Sequence, residues 1–270
     1  MISHHLQPLV CERFLTDARY REGHLRVVNA LPERRVVGLH SPEIKQVAKQ
    51  LSHNGGEIVM PDGVRRICAN GAEVIRAFEA VPNDSLCYEE TVIWGYLINL
   101  EKCSLDERLA MLSRYVPVLD NWAVCDSYCA HAKWIARADK TTVWAFLGRW
   151  FDSESEFEVR FAVVVAMCYF LGEEWLDKVF ERINGLDFGR IKSKYNTVKG
   201  KPKMAQQGTV QGVEPYYVRM GVAWLLATAL AKFPDQTRAF VRSSNLPKDV
   251  VKLYIRKARE SFRTRTVEAV

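Results

Sequence analysis

The chain has 270 residues, 48% of them hydrophobic and 26% charged, with 38 Lys and Arg against 32 Asp and Glu for a net charge of +6. That balance belongs to a globular chain able to bury a large core, in one elongated domain or two compact ones. It excludes a helical membrane span, since no apolar run reaches about 18 residues and Val159 to Leu171 stops short.

The first residues, Met-Ile-Ser-His-His, lack the basic-then-apolar order of a secretory leader, so a cytoplasmic location is expected. Seven cysteines sit singly along the chain. Cys125 and Cys129 are the one close pair, and their spacing is that of a helix turn, unlike the CxxC of a zinc or redox site. Reduced core thiols, no metal and no cofactor are therefore expected.

Nearly everything after Leu39 reads as helices with recognisable starts. Ser41-Pro42-Glu43 opens one, with Ile44, Val47, Ala48 and Leu51 at helical spacing. Glu57 to Ile67 holds a turn signal between short apolar runs and reads as a small hairpin. Tyr88 to Leu100 is an apolar helix, and Ser104 to Glu107 is a capping box for the next. Asp120 can cap a helix carrying Trp122 and Asp126. Thr141 or Thr142 opens a helix to Phe151, and Ser153 or Ser155 a longer one to Leu171. Pro215 begins a helix to Phe233, Asp235 caps another, and Pro247 starts the last, to about Phe262. Residues 189–214, rich in Gly, Lys and Gln, read as a mobile basic loop inserted between helices. Short connections and the absence of a βαβ rhythm predict an all-α chain, either an α-solenoid or a bundle of antiparallel pairs.

Charge is unevenly placed. Arg190 to Lys203 carries six basic residues and no acid, and Arg242 to Arg265 carries eight against Asp249 and Glu260. Between Asp84 and Asp126 the balance reverses, with eight acids and three bases. A basic second half fits a polyanionic partner, although such a run is also the ordinary composition of a solvated face.

Trp122 and Asp126 stand four residues apart in one predicted helix, so an indole face and a carboxylate share one side of it. An acid on an apolar helix is costly unless partnered, which leaves two readings: a structural ion pair, or a site for a cation or for developing positive charge.

These segments resemble the AlkD-type DNA alkylation repair proteins, HEAT-like repeat solenoids that include glycosylases for alkylated purines. The resemblance runs from about Val36 to Thr266. It rests on Tyr88-Glu-Glu90, Asn121-Trp-Ala-Val-Cys-Asp126, Phe157-Glu-Val-Arg-Phe-Ala162 and Tyr216-Tyr-Val-Arg-Met-Gly-Val-Ala-Trp224. It implies an α-α superhelix forming a single domain over residues 1–270, a monomer, and duplex DNA as partner. It also implies a groove lined by Trp122, Asp126, Arg160 and Trp224, with Asp126 as the catalytic carboxylate. On pattern alone Trp224 reads as core and Arg160 as a buried partner of Asp126. Three functions stay open: hydrolytic release of cationic alkylated purines, non-catalytic binding of DNA structure, and a protein-interaction solenoid.

Overall fold

The computed structural model describes residues 1–198, 201–204 and 214–270, with 196–198 and 201–204 described by their backbone alone. Among the described residues its regular structure is fourteen α-helices, four short 3-10 helices and two short antiparallel strand pairs, which makes the chain all-α in class. It divides into two compact units, Met1–Trp134 and Ile135–Val270. Among the described residues no helix is long and apolar enough to cross a membrane.

The first unit contains α1 (Ser3–Leu6), α2 (Glu12–Thr16), α3 (Ala18–Val28), α4 (Ser41–Asn54), β1 (Gly56–Val59), β2 (Arg65–Cys68), α5 (Gly71–Glu79), α6 (Tyr88–Leu100), α7 (Leu105–Tyr115) and α8 (Trp122–His131). Helix α6 is its centre. Every residue from Tyr88 to Ile98 is buried, as expected of a helix without a polar face. It packs on α4, α5, α7 and α8. An aromatic chain crosses this core, with ring centroids 6.2 Å apart for Phe78 and Trp94, 5.3 Å for Trp94 and Tyr115, and 5.5 Å for Tyr115 and Tyr128. Gly95 makes room for it, because a Cβ there would collide with the Tyr115 hydroxyl.

The N-terminus of α6 carries two fully buried carboxylates. Glu89 accepts hydrogen bonds from the backbone N–H groups of Val37, Gly38 and Leu39, at 2.9, 2.7 and 3.3 Å. Gly38 has a φ of +108° and lies against the Phe14 ring, a conformation and a space that only glycine fits. Glu90 accepts from the N–H groups of Ile2 and Cys87 and from the amino group of Met1, at 2.7, 2.9 and 2.6 Å. Burial pushes the Glu90 carboxyl up, but these donors outweigh it and hold the group below its ordinary range.

The second unit contains α9 (Lys140–Phe151), α10 (Glu156–Tyr169), α11 (Leu176–Asn184), β3 (Tyr195–Val198), β4 (Lys201–Met204), α12 (Tyr216–Leu230), α13 (Pro234–Ser243) and α14 (Lys248–Glu260). Helices α10 and α12 are buried nearly all round and pack on each other, with α9 outside the first and α14 outside the second. Phe180 of α11 stacks on Phe240 of α13 at 4.3 Å.

Most of the expected helices and the expected hairpin at Glu57 to Ile67 are present, the latter as the β1–β2 pair. Several readings need correction. Asp139, and not Thr141 or Thr142, caps α9, and Asp235 lies inside the first turn of α13, which has no side-chain cap. Helices α1 to α3 fill residues 3–28, where no helix was expected. Their apolar pattern is weak, and α3 starts on a cap, the Asp17 carboxylate accepting from the Tyr20 N–H. Helices α5 and α11 also went unread. Asn121 and not Asp120 caps α8, its Oδ1 accepting from the Ala123 N–H at 2.8 Å, while Asp120 pairs with Arg34 at 2.7 Å. Lastly, part of the segment read as a loop at 189–214 is the β3–β4 pair; residues 199–200 and 205–213 of it lie outside the described residues.

Glu89→Ala leaves three buried N–H groups without an acceptor, each costing about 1–3 kcal/mol. Chemical denaturation of the variant is expected to show the first unit destabilised by about 3 kcal/mol or more. A loss under about 1 kcal/mol, the size of a single ordinary hydrogen bond, would contradict this account of the α6 junction.

Candidate functional site

Helix α8 has a buried side, formed by Val124, Cys125, Tyr128 and Cys129, and a half-exposed side that includes Trp122 and Asp126. The expected pairing of indole and carboxylate on one accessible helix face is therefore realised within the first unit. The start of α8 is fixed by the end of α3. Asn121 is 1% exposed, and its Nδ2 donates to the carbonyls of Val28 and Asn29 at 2.7 and 3.0 Å while its Oδ1 caps its own helix. The Trp122 Nε1 donates to the Val27 carbonyl at 3.2 Å. Asn29 accepts these constraints in a left-handed conformation, φ +50° and ψ +47°, one that asparagine tolerates better than most residues. The indole is thus oriented by its N–H. One residue before α8, Asp120 meets Arg34, which also donates to the Leu86 carbonyl at 2.8 Å.

In the second unit Arg160 and Trp224 have opposite environments. Arg160, on α10, is 3% exposed, and its Nη1 donates to the Tyr217 carbonyl near the start of α12. Its guanidinium also lies 5.8 Å from the centre of the Tyr217 ring. Trp224, on α12, is 39% exposed although ten of the fifteen residues of its helix are buried. The core reading of Trp224 therefore gives way to an accessible indole, while Arg160 is held inside.

Beside Arg160 is a buried acid that the sequence reading did not single out. Glu156 is 2% exposed, accepts from the Tyr217 N–H at 2.6 Å and from the Ser193 hydroxyl, and so caps α12, whose own preceding residue is Pro215. Burial pushes its carboxyl up to about 7, against the opposing pull of Ser193, the α12 N–H groups and Arg160. Its own backbone N–H bonds to the Lys192 carbonyl, tying the start of the basic segment to α10. Arg190 and Lys192 both pair with Glu154, at 3.4 and 2.6 Å, so two of the cations in that segment are locally balanced.

A cleaner basic surface is α14. Lys248, Lys252, Arg256 and Arg259 are all exposed and recur at the spacing of a single helix face, with Arg263 and Arg265 exposed just beyond. Among the described residues no group of three or more His, Cys, Asp or Glu side chains is placed to hold a metal ion.

Glu156 gives a pH dependence with a definite sign. Its ordinary value is 4.5 and its folded value about 7, so between those limits the folded chain keeps a proton that the unfolded chain releases. Stability of the second unit should therefore fall as pH rises from about 5 through 7, by about 3 kcal/mol at most. Thermal unfolding of Glu156→Gln should lack that slope; an unchanged slope would assign it to another group. Arg160→Ala strips a buried network of its cation and is expected to cost about 3–5 kcal/mol. A near-native melting temperature would show that the guanidinium is dispensable to the core.

Residues 85–186, from the approach to α6 through the end of α11, match the family model described as DNA alkylation repair enzyme. The matched segment contains Trp122, Asp126 and Arg160; Trp224 lies beyond it. No curated protein and no solved structure matches the chain. The matched segment carries the central helices of the first unit together with α9 to α11 of the second, and over these residues the chain is similar to the DNA alkylation repair enzymes.

Proposed function

We propose that the protein hydrolyses the glycosidic bond of cationic alkylated purines in duplex DNA, with Asp126 as the catalytic carboxylate. The observation that carries this reading is the half-exposed face of α8, where an N–H-anchored Trp122 and Asp126 stand one turn apart inside the family segment. A ring-alkylated purine is positively charged and is already a good leaving group. An indole face attracts such a cation by about 0.5–2 kcal/mol, more as water is excluded. Loss of the base leaves oxocarbenium character on the sugar, which a preorganised carboxylate stabilises. The same carboxylate orients the attacking water, whose oxygen bonds to the anomeric carbon as the bond to the base breaks and whose proton passes to the carboxylate and on to solvent. The departing electron pair neutralises the ring cation, so the base needs no protonation. No metal or cofactor enters this scheme.

Trp224 supplies a second accessible indole for the DNA. Arg160 acts through position: its bond to the Tyr217 carbonyl holds α12, the helix that carries Trp224. The basic stripe of α14 supplies phosphate contacts that do not depend on base sequence.

The test is single-turnover release of a methylated purine, with duplex binding followed in parallel. Asp126→Asn keeps the shape of the side chain and loses its charge, so release should fall by about 10²–10³. Duplex affinity should stay equal or tighten slightly, because a repulsion of phosphate is removed. With roughly six phosphate contacts the log–log salt slope should be near −5. Equal rates for the two proteins would make Asp126 structural. No release by the wild type, with a normal salt slope, would leave a non-catalytic DNA-binding protein.

A further inference from the structure

The chain does not end at α14. Residues 261–267 turn back and are tied down. Thr264 is 1% exposed and its hydroxyl donates to the Ala258 carbonyl at 2.8 Å. The Arg265 N–H bonds to the Ser261 carbonyl, and the Tyr254 hydroxyl donates to the Ala269 carbonyl at 2.7 Å. On this anchored turn Phe262 is 81% exposed. The Arg265 guanidinium lies 4.7 Å from the ring centre, and most of this large apolar ring is otherwise left in water by an ordered turn.

Phe262 borders a cleft of about 490 Å³ whose other walls include Trp224, Thr228, Lys257, Ser261 and Arg263. The cleft thus has two exposed aromatic side chains, two hydroxyls and two cations. Glu260 also lines it, but this acid is engaged by Lys257 at 2.8 Å and Arg256 at 3.6 Å. From Lys248 to Arg265 seven basic residues stand against two acids, and the second acid, Asp249, pairs with Arg219. A flat ring joined to an anionic group is the ligand that fits all of these features. Aromatic faces take a base irrespective of its identity, hydroxyls meet its polar edge, and the cations meet its phosphates.

We propose that this cleft is a stacking site for an unpaired nucleotide of a DNA strand, with Phe262 as its principal ring and Lys257 and Arg263 as its phosphate contacts. It rests on the reading that the chain binds DNA, and it adds a preference for bases that are not paired. A fully stacked duplex offers no base face to Phe262, so the site acts where a strand is open, at a gap, an end or a distorted lesion.

Fluorescence anisotropy of labelled strands tests it, using an oligodeoxythymidine, an abasic strand of the same length and a duplex. The wild type should bind the oligodeoxythymidine about tenfold or more tightly than the abasic strand, since stacking on one aromatic ring is worth about that factor. Phe262→Ala, at a position too exposed to disturb folding, should lose this preference and leave duplex affinity within about twofold. Phe262→Trp should keep it. Equal affinity of the wild type for the two single strands, or an unchanged preference in Phe262→Ala, would overturn the stacking site. If duplex binding persists in that case, the DNA reading stands and only the stacking site falls. If no strand binds at low salt, both fall together.

Discussion

The start of α6 is the constraint on which the first unit depends. Two adjacent carboxylates, Glu89 and Glu90, are withdrawn completely from water, which is tolerable only if donors replace their hydration. Glu89 takes three consecutive backbone N–H groups at residues 37–39, and Glu90 takes those of residues 2 and 87 together with the Met1 amino group. Both carboxylates also sit at the positive end of a helix dipole. The consequence is long-range: the extended segment before α4 and the first residues of the chain converge on one helix end. That segment in turn packs Phe14 of α2 against Gly38.

The second unit solves a similar problem with the opposite pKa outcome. Glu156 caps α12 as Glu89 and Glu90 organise α6, and it sits beside a buried guanidinium. For Glu90 the donors prevail over burial, while for Glu156 burial prevails over the donors. A carboxyl poised near neutrality is a cheaper way to bury a cap than a permanent charge. It also makes the α10–α12 junction, which carries the exposed Trp224, sensitive to protonation.

Helix existence was legible wherever apolar spacing and a cap coincided, as at Ser41, Ser104 and Pro247. It was illegible at α1 to α3, whose faces are mostly polar and which are held by tertiary bonds to Glu90 and through Asn121. Helix α5 was hidden by the neighbouring hairpin, and α11 is a nine-residue helix without a side-chain cap. At the site, the shared face of Trp122 and Asp126 followed directly from helical periodicity. Burial did not: Trp224 and Arg160 both lie in apolar surroundings in sequence, yet one indole reaches water and one cation does not. Asn121 could have been read, because it stands immediately before the helix and asparagine is a favoured cap. Its second task, holding Val28 and Asn29 across a separation of more than 90 residues, has no local signal.

Under the proposed function, the anchoring of Trp122 also accounts for how a half-exposed indole would act as a recognition surface. An indole free to rotate would lose rotamer entropy on binding a cation, and that loss is comparable with the attraction itself. Here the N–H is already bound to the Val27 carbonyl, the helix start is fixed by Asn121, and the preceding residue is clamped to Arg34. The entropy is surrendered on folding, so more of the cation–π attraction is left for the ligand. In the proposed reaction Asp126 would gain in the same way, since it stands about a turn and a half into the same fixed helix. Preorganisation of this kind is the physical difference between an acid that merely attracts a cation and one that lowers the barrier to forming it.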